Sequence, residues 1–381
     1  MRKAIAVGLV VICLSLTCQT ERPFLFGAAS RQMTPPIAGM HLAPARFRLP
    51  VAQPIAPEML RAEIDSLPDA ATLASSGAFR VIIARADEIP SVLLEIGRGR
   101  EVAFRAAREG TGRDRDLDGF DREYLHLVLW DSLANAVAGA YRLGQTDVVC
   151  TGRGVSGLYT PTLFRFGARG VARIHPALEM GRSFIHPVYQ RSHSALLLLW
   201  QGIGAFVAHN PRYRYLFGPV SISQEYGAIA RELMVRFLGG ALEDRSLLPS
   251  VRPRRPFPLR KRQALDLEML ARSLRDVDEL SEIVADLEGG RGIPVLVRQY
   301  IRLGGRIASF NVDREFANVV DALVVVDLAA TERKLLDRYM GKEGADRFLA
   351  FQRGRGSILP LAEPDSDLEL PLAPGLTRRP A

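Results

Sequence analysis

Leu178-Glu-Met-Gly-Arg-Ser-Phe-Ile-His-Pro187 decides the fold. The segment 178–185 reads as a strand, and Glu179 and Arg182 are charged residues set in an otherwise apolar run. Beyond it, 195–208 is apolar enough for a buried helix, and Leu216-Phe-Gly-Pro-Val-Ser-Ile-Ser223 falls in a second strand over 215–222. A helix over 226–238 follows. Upstream, 79–84 reads as a strand, and Pro90 opens a long amphipathic helix carrying Val92, Leu93, Ile96, Val102 and Phe104. The stretches 124–130 and 136–143 are two further strands, with the polar residues 131–135 turning between them. Downstream come a helix over 295–303, strands over 306–310 and 319–327, and a last helical stretch over 331–351.

Around this core the chain divides into four parts. Residues 1–48 are a signal-like leader and a Pro/Arg-rich linker, and 49–78 are an N-terminal extension with room for one short helix in 57–73. Residues 79–351 form the main domain, with a Pro/Arg-rich connector over 242–262, and 352–381 are a disordered tail. In the leader, Arg2 and Lys3 precede an apolar run too short to span a bilayer comfortably. Export, N-terminal anchoring and an early start site are all left open. Otherwise the composition fits a cytoplasmic protein held peripherally at an inner membrane.

Of 381 residues, 48% are hydrophobic and 24% charged, which supplies a full globular core. The net charge of +8 predicts an anionic partner: an acidic protein, an anionic membrane surface or nucleic acid. No stacking aromatic series or recognised motif supports nucleic acid. The three cysteines, two of them in the leader, exclude a disulfide framework and a cysteine zinc site, and no metal is expected.

The element order resembles the GCN5-related N-acyltransferase fold, an α/β architecture with a mixed, mostly antiparallel central sheet and helices on both faces. Two lipid-handling branches are similar in their motifs. Gly139-Ala-Tyr-Arg-Leu143, the 178–187 and 216–223 stretches, Ile293-Pro-Val-Leu-Val-Arg-Gln-Tyr-Ile-Arg-Leu-Gly-Gly305 and Asn311-Val-Asp-Arg-Glu-Phe316 resemble the ornithine-lipid and haemolysin-like N-acyltransferases. Arg100 with Phe104, Asp118 with Asp121, Arg142, and Glu179 with Arg182 match the acyl-homoserine-lactone synthases. The resemblance implies an enzyme that moves a long-chain acyl group, 3-hydroxylated or not, from a carrier thioester to the amine of ornithine or another amino acid, in aminolipid synthesis. A lactone-type signal synthase and a catalytically silent lipid- or carrier-binding module are the alternatives. Some haemolysin-like relatives carry an upstream acyltransferase domain marked His-x4-Asp. His126 and Asp131 have that spacing, but the apolar strand around them makes His126 a half-buried strand histidine.

The resemblance assigns the site. An ammonium must lose a proton before it attacks a thioester, so a carboxylate is required. Glu179 is the first candidate for the base, Asp121 the second, and Arg182 stands beside them. The two members of the Glu179/Arg182 pair are expected on opposite faces of their strand, one toward the cleft. The oxyanion donor is expected on a bulged strand near 183–185, and Tyr226, Ser221 or Ser223 would protonate the departing thiolate. Arg100, Phe104, Asp118, Arg142, Ser221, Ser223 and Arg191 are the expected binding residues. Acetyltransferases of this fold hold the coenzyme A pyrophosphate on a glycine-rich helix N-terminus. Here Gln190-Arg-Ser-His-Ser-Ala195 has His193 in place of the glycine. That implies acyl carrier protein, an acidic partner, rather than coenzyme A as thioester donor, with no resident cofactor.

Overall fold

A computed structural model describes residues 49–167, 170–190, 193–242, 251–259 and 264–358. The leader and Arg191 lie outside the described residues. The chain enters through α1 (Pro57–Ser66) and a hairpin of β1 (Thr72–Ser76) and β2 (Phe79–Arg85), turned at Gly77 with φ 56°. α2 (Pro90–Ala106) leads to a second hairpin, β3 (Leu125–Asp131) and β4 (Ala136–Gln145). The single-turn α3 (Thr146–Val149) and the short strand β5 (Phe164–Arg165) precede β6 (Ala177–Ile185), α4 (His193–His209), β7 (Tyr215–Ile222) and α5 (Ala228–Ala241). A two-residue strand, β8 (Arg252–Pro253), pairs with β5. α6 (Ala264–Ser273), α7 (Val277–Leu287), α8 (Val295–Arg302), β9 (Arg306–Asp313), β10 (Val319–Asp327) and α9 (Arg333–Ile358) complete the described chain.

Eight strands form one sheet in the order β1-β2-β3-β4-β6-β7-β10-β9, antiparallel at every step except β6–β7. Alternation along the strands separates two faces. Val81, Leu127, Leu129, Leu178 and Met180 join the core built with α4 to α9, whereas Ile82, Val128, Trp130 and Ala140 pack with α1 and α2. Helices therefore cover both faces, unequally.

The sheet begins at Thr72, ahead of the edge expected at Phe79. β1 pairs with β2 from Thr72 to Ser76, and Leu60 and Ile64 of α1 are buried in the α2 core. These are integral parts of the domain, not an appendage. The connector is likewise folded in: Arg254 N–H donates to the Leu163 carbonyl, and the Arg255 carbonyl accepts from Val312 N–H. Two helices, α6 and α7, occupy a stretch that the sequence reading passed over. The second starts at Asp276, whose side chain caps it by accepting from the N–H groups of Asp278 and Glu279. Helix also continues into the expected tail as far as Ile358, interrupted at Gly341 with φ 71°.

β6 and β7 pair over three residues, Ala177↔Tyr215 to Glu179↔Phe217, and then part. Gly218 marks the crotch, where a Cβ would collide with the Met180 carbonyl oxygen. β6 bends away through a bulge: its register against β4 shifts between Ala140 and Arg142, and Arg182 has φ 50°.

Removing residues 1–48 should leave a stably folded protein. Removing residues 1–78 strips an edge strand and two buried apolar anchors worth roughly 1.5–3 kcal/mol each. That shorter protein should melt at least ~10 °C lower, at about 2–4 °C per kcal/mol for a large domain. Thermal melts of the two truncations against the full chain check this.

Candidate active site

The bulge at Arg182 reverses the strand's alternation. Glu179, Arg182 and Phe184 all lie on the face covered by α2, although Glu179 and Arg182 were expected on opposite faces. Tyr159 shows this directly: its N–H donates to Glu179 Oε2 at 3.0 Å, and the Arg182 guanidinium lies 5.1 Å above its ring.

Glu179 is 1% exposed and lines neither of the two cavities described below. Its carboxylate accepts from the Tyr124 hydroxyl, the Thr160 hydroxyl and the N–H groups of Tyr159 and Thr160. All its near neighbours are thus donors already in place, and the side chain ties the 158–162 loop to β6. Nothing in this setting lets it reach an incoming ammonium.

Three aspartates and three arginines form a second buried group beside it. Arg100 pairs with Asp121 at 2.8 Å, and Arg142 pairs with Asp118 at 2.6 Å and Asp121 at 3.2 Å. Arg182 reaches Asp116 at 3.4 Å and Asp118 at 3.6 Å. Asp118 also caps the short 3-10 turn Gly119–Arg122, and the Asp121 carboxylate returns to the Asp118 N–H. Arg142 lies 5.2–5.8 Å from the ring centroids of Phe120, Tyr124 and Tyr159. Burial alone would raise the Asp121 pKa, but Arg100 and Arg142 overcome it and hold the carboxyl well below the usual range. A carboxylate held that firmly in its ionised form is a poor proton acceptor, so Asp121 does not suit the base role. Arg100 and Arg142 are wholly enclosed and line neither cavity, which removes them from direct substrate contact. His126 is buried rather than half-buried. Its Nε2 bonds to the Asp121 carbonyl at 2.8 Å, and burial lowers its pKa to about 4.

The open space lies elsewhere. A cavity of about 1080 Å³ passes through the gap between β6 and β7. On the α4 side Leu196, Leu199, Tyr141, Ile293, Leu296 and Tyr300 give it an apolar wall. On the α2 side it is lined by Phe104, Arg182, Ser221, Ser223, Glu109, Glu225, Asp313 and Asp321. Phe104 packs edge-on to Phe316, with ring centroids 5.1 Å apart. A second cavity, about 710 Å³, abuts the first and shares Tyr159, Arg182, Asp313 and Phe316 with it; Asp118, Arg254 and Arg255 also line it.

In the middle of the gap stands the edge of β6. His186 N–H donates to the Ala138 carbonyl, and Gly139↔Ile185 is the next pair in register, so the Ile185 amide faces away from β4 into the gap. The Ile185 carbonyl, on the same edge, accepts from the Gln190 side chain. An oxyanion donor at 183–185 is compatible with this geometry. Ser221 donates to Asp321 Oδ1 at 2.9 Å, Ser223 to the Ala107 carbonyl at 3.1 Å, and the Tyr226 hydroxyl to the Gly292 carbonyl at 2.8 Å. All three line the cavity, with hydroxyls already engaged.

The acidic wall is what the sequence reading missed. Burial raises the Asp321 pKa to about 8, with Asp313 and Glu109 adding to the shift. Burial, with Glu225 nearby, raises Glu109 to about 7. A lone carboxylate at Asp321 within Val319-Val-Asp-Ala-Leu-Val-Val-Val326 is a signal that the sequence does carry.

Residues 100–201 match the family described as Acetyltransferase (GNAT) domain. The glycine N(alpha)-acyltransferase of Bacteroides thetaiotaomicron is 30% identical over 303 residues, 75% of this chain and 88% of that protein. The chain belongs to the GNAT acyltransferase family. The glycine N(alpha)-acyltransferase of Phocaeicola vulgatus is also 30% identical, over 68% of this chain and 82% of its own length. The L-ornithine N(alpha)-acyltransferase of Rhodobacter capsulatus is 29% identical, over 59% of this chain and 79% of its own. No solved structure gives a significant match. The parted parallel pair of strands and the cavity through it thus belong to an acyltransferase.

Two substitutions separate scaffold from chemistry. Glu179→Gln turns an amide NH2 toward groups that all donate, so stability should fall by about 1–3 kcal/mol. Turnover of the folded fraction should stay within tenfold, short of the ~10²–10⁴ lost with a general base. Asp121→Asn leaves the buried Arg100 guanidinium without its carboxylate, while Arg142 keeps Asp118, and should cost about 3–5 kcal/mol. Denaturant melts and turnover on the same preparations test both.

Proposed function

We propose that the protein transfers a long-chain fatty acyl group, 3-hydroxylated or not, from an acyl-carrier-protein thioester to the α-amine of a small amino acid, in aminolipid synthesis. One observation carries this reading: a single cavity runs from an apolar wall, past the β6 edge amide, to a wall of carboxylates. An acyl chain suits the first, a thioester carbonyl the second and an ammonium the third. The names of the relatives, acting on glycine and on L-ornithine, support an amino acid as acceptor.

The carrier follows from what the α4 entrance lacks. A pyrophosphate is held by closely approaching backbone amides, and His193 stands where glycine would allow that approach. Acyl carrier protein has no nucleotide end to accommodate. Its acidic surface complements a chain of net charge +8, and the same charge suits peripheral contact with an anionic membrane, where an acylated amino acid would be delivered. Among the described residues no helix is long and apolar enough to cross a membrane.

The test is incubation of the purified protein with long-chain acyl carrier protein thioesters, with and without a 3-hydroxyl, and a pool of amino acids, followed by mass spectrometry. N-acyl amino acid is the expected product; an acyl lactone or no product would refute the reading. With one acyl chain on both carriers, kcat/KM should favour acyl carrier protein over coenzyme A by at least tenfold. Equal use of coenzyme A, improved no further by His193→Gly, would reject the carrier assignment.

A further inference from the structure

Asp321 is buried to 3% exposure in the middle strand of the β7–β10–β9 group, where it lines the acidic wall of the cavity. Its Oδ1 accepts from Ser221, and its Oδ2, also buried, has no hydrogen-bond partner among the described residues. A buried carboxylate oxygen left without a donor is costly, and on a residue that lines a cavity it points to a ligand that donates. The groups around it are Asp313 on β9, Glu109 after α2, Arg182 on β6 and Tyr159. Arg182 is itself drawn toward Asp116 and Asp118, so the wall keeps an excess of carboxylates. A cation bound there would favour the ionised forms that burial and crowding disfavour.

We propose that Asp321 holds the acceptor's ammonium, with Asp313 and Glu109 beside it, and is the group that deprotonates it. This assignment rests on the acyltransferase reading above and names the acceptor subsite within it. The amine arrives with three protons on nitrogen. Asp321 takes the first, the freed lone pair attacks the thioester carbonyl, and the C–N bond forms as the C–S bond breaks. A second proton passes to the departing thiolate and the third stays on the amide. Asp321 then returns its proton to water through the cavity. The Ser221 hydrogen bond fixes Oδ1, so that Oδ2 faces the amine throughout.

Burial, and after it the neighbouring Asp313 and Glu109, raises the proton affinity of Asp321 toward that of a useful base, with a pKa of about 8. Below that value Asp321 is protonated and cannot accept. kcat/KM should therefore fall on the acid side with a limb near pH 8. Stability gives an independent reading. The folded pKa lies above the unfolded value of about 3.9, so the native state binds the extra proton in that window. Stability is therefore lost as pH rises toward 8.

The experiment compares wild type with Asp321→Asn, which keeps the Ser221 contact and cannot ionise. Formation of N-acyl amino acid should fall at least ~10²-fold, the acid limb should vanish, and the variant should melt at or above wild type at pH 8 or higher. Asp313→Asn is the second variant: it removes a like charge and should move the acid limb to lower pH. Turnover within threefold of wild type in Asp321→Asn, or an acid limb unmoved in both variants, would overturn the assignment while leaving the acyltransferase reading intact. If Asp321→Asn does not fold, an unmoved limb in Asp313→Asn overturns it. A wild type that makes no N-acyl product from any amino acid would overturn both.

Discussion

Arg182 adopts a left-handed backbone, φ 50°, in the middle of a strand, a conformation that costs a non-glycine residue of order 1–3 kcal/mol. Most of the site depends on it. The bulge lets β6 follow β4 at one end while leaving β7 after three paired residues, which opens the sheet. It turns Arg182 onto the same face as Glu179, where the guanidinium meets Asp116 and Asp118 and lies between the rings of Tyr159 and Phe316. Burial would lower the Arg182 pKa, yet Asp116, Tyr159 and Asp118 raise it, so the charge is retained. Those contacts offset the backbone strain, and the strained backbone in turn aims the Ile185 amide into the gap.

Two buried charge groups then flank the opening, and they differ in one respect. Arg100, Arg142 and Arg182 face Asp116, Asp118 and Asp121, so that guanidinium and carboxylate balance one for one. Removing any partner leaves a charge stranded, the situation in which a buried pair matters most for stability. Asp321, Asp313 and Glu109 have no such balance. The first group is balanced in charge by its own members; the second has room for a cation beside it. The cavity reaches the second along its lining, and touches the first only through Arg182 and, in the smaller cavity, Asp116 and Asp118.

The sequence makes these groups unequally legible. The bounds of β7 and β10 follow from runs of buried apolar residues between turn residues, and Pro90 marks the start of α2. β1, Thr72-Leu-Ala-Ser-Ser76, is too small and polar to show as a strand and exists because β2 pairs with it. α7 could have been found: Asp276 at its cap and Leu280, Ile283, Val284 and Leu287 carry helical spacing. The facing of Arg182 could not, because period-two reasoning fails at a bulge that local sequence does not announce. The acidic wall was within reach at Asp321 alone. Asp313 sits on the neighbouring hairpin strand, but Glu109 comes from an element far away in the chain, and only the folded sheet brings it to them.

The residues that resemble the lactone-synthase pattern point first to Glu179 and the Arg–Asp group; Glu179 proves saturated, and each carboxylate of the latter is held by a guanidinium. A carboxylate that already receives four donors, or sits between two guanidiniums, has its oxygens committed to partners within the fold. In this chain those residues hold the bulge and the loop over it. The acceptor must be read instead where hydrogen-bonding capacity is left over. Among the described residues two buried carboxylate oxygens lack a hydrogen bond: Asp116 Oδ2, which still faces the Arg182 guanidinium at 3.4 Å, and Asp321 Oδ2, on a strand that resemblance alone would assign to the core and on a residue that lines the larger cavity. Spare capacity, more than charge or burial, separates the residue that can do chemistry from those that hold the scaffold.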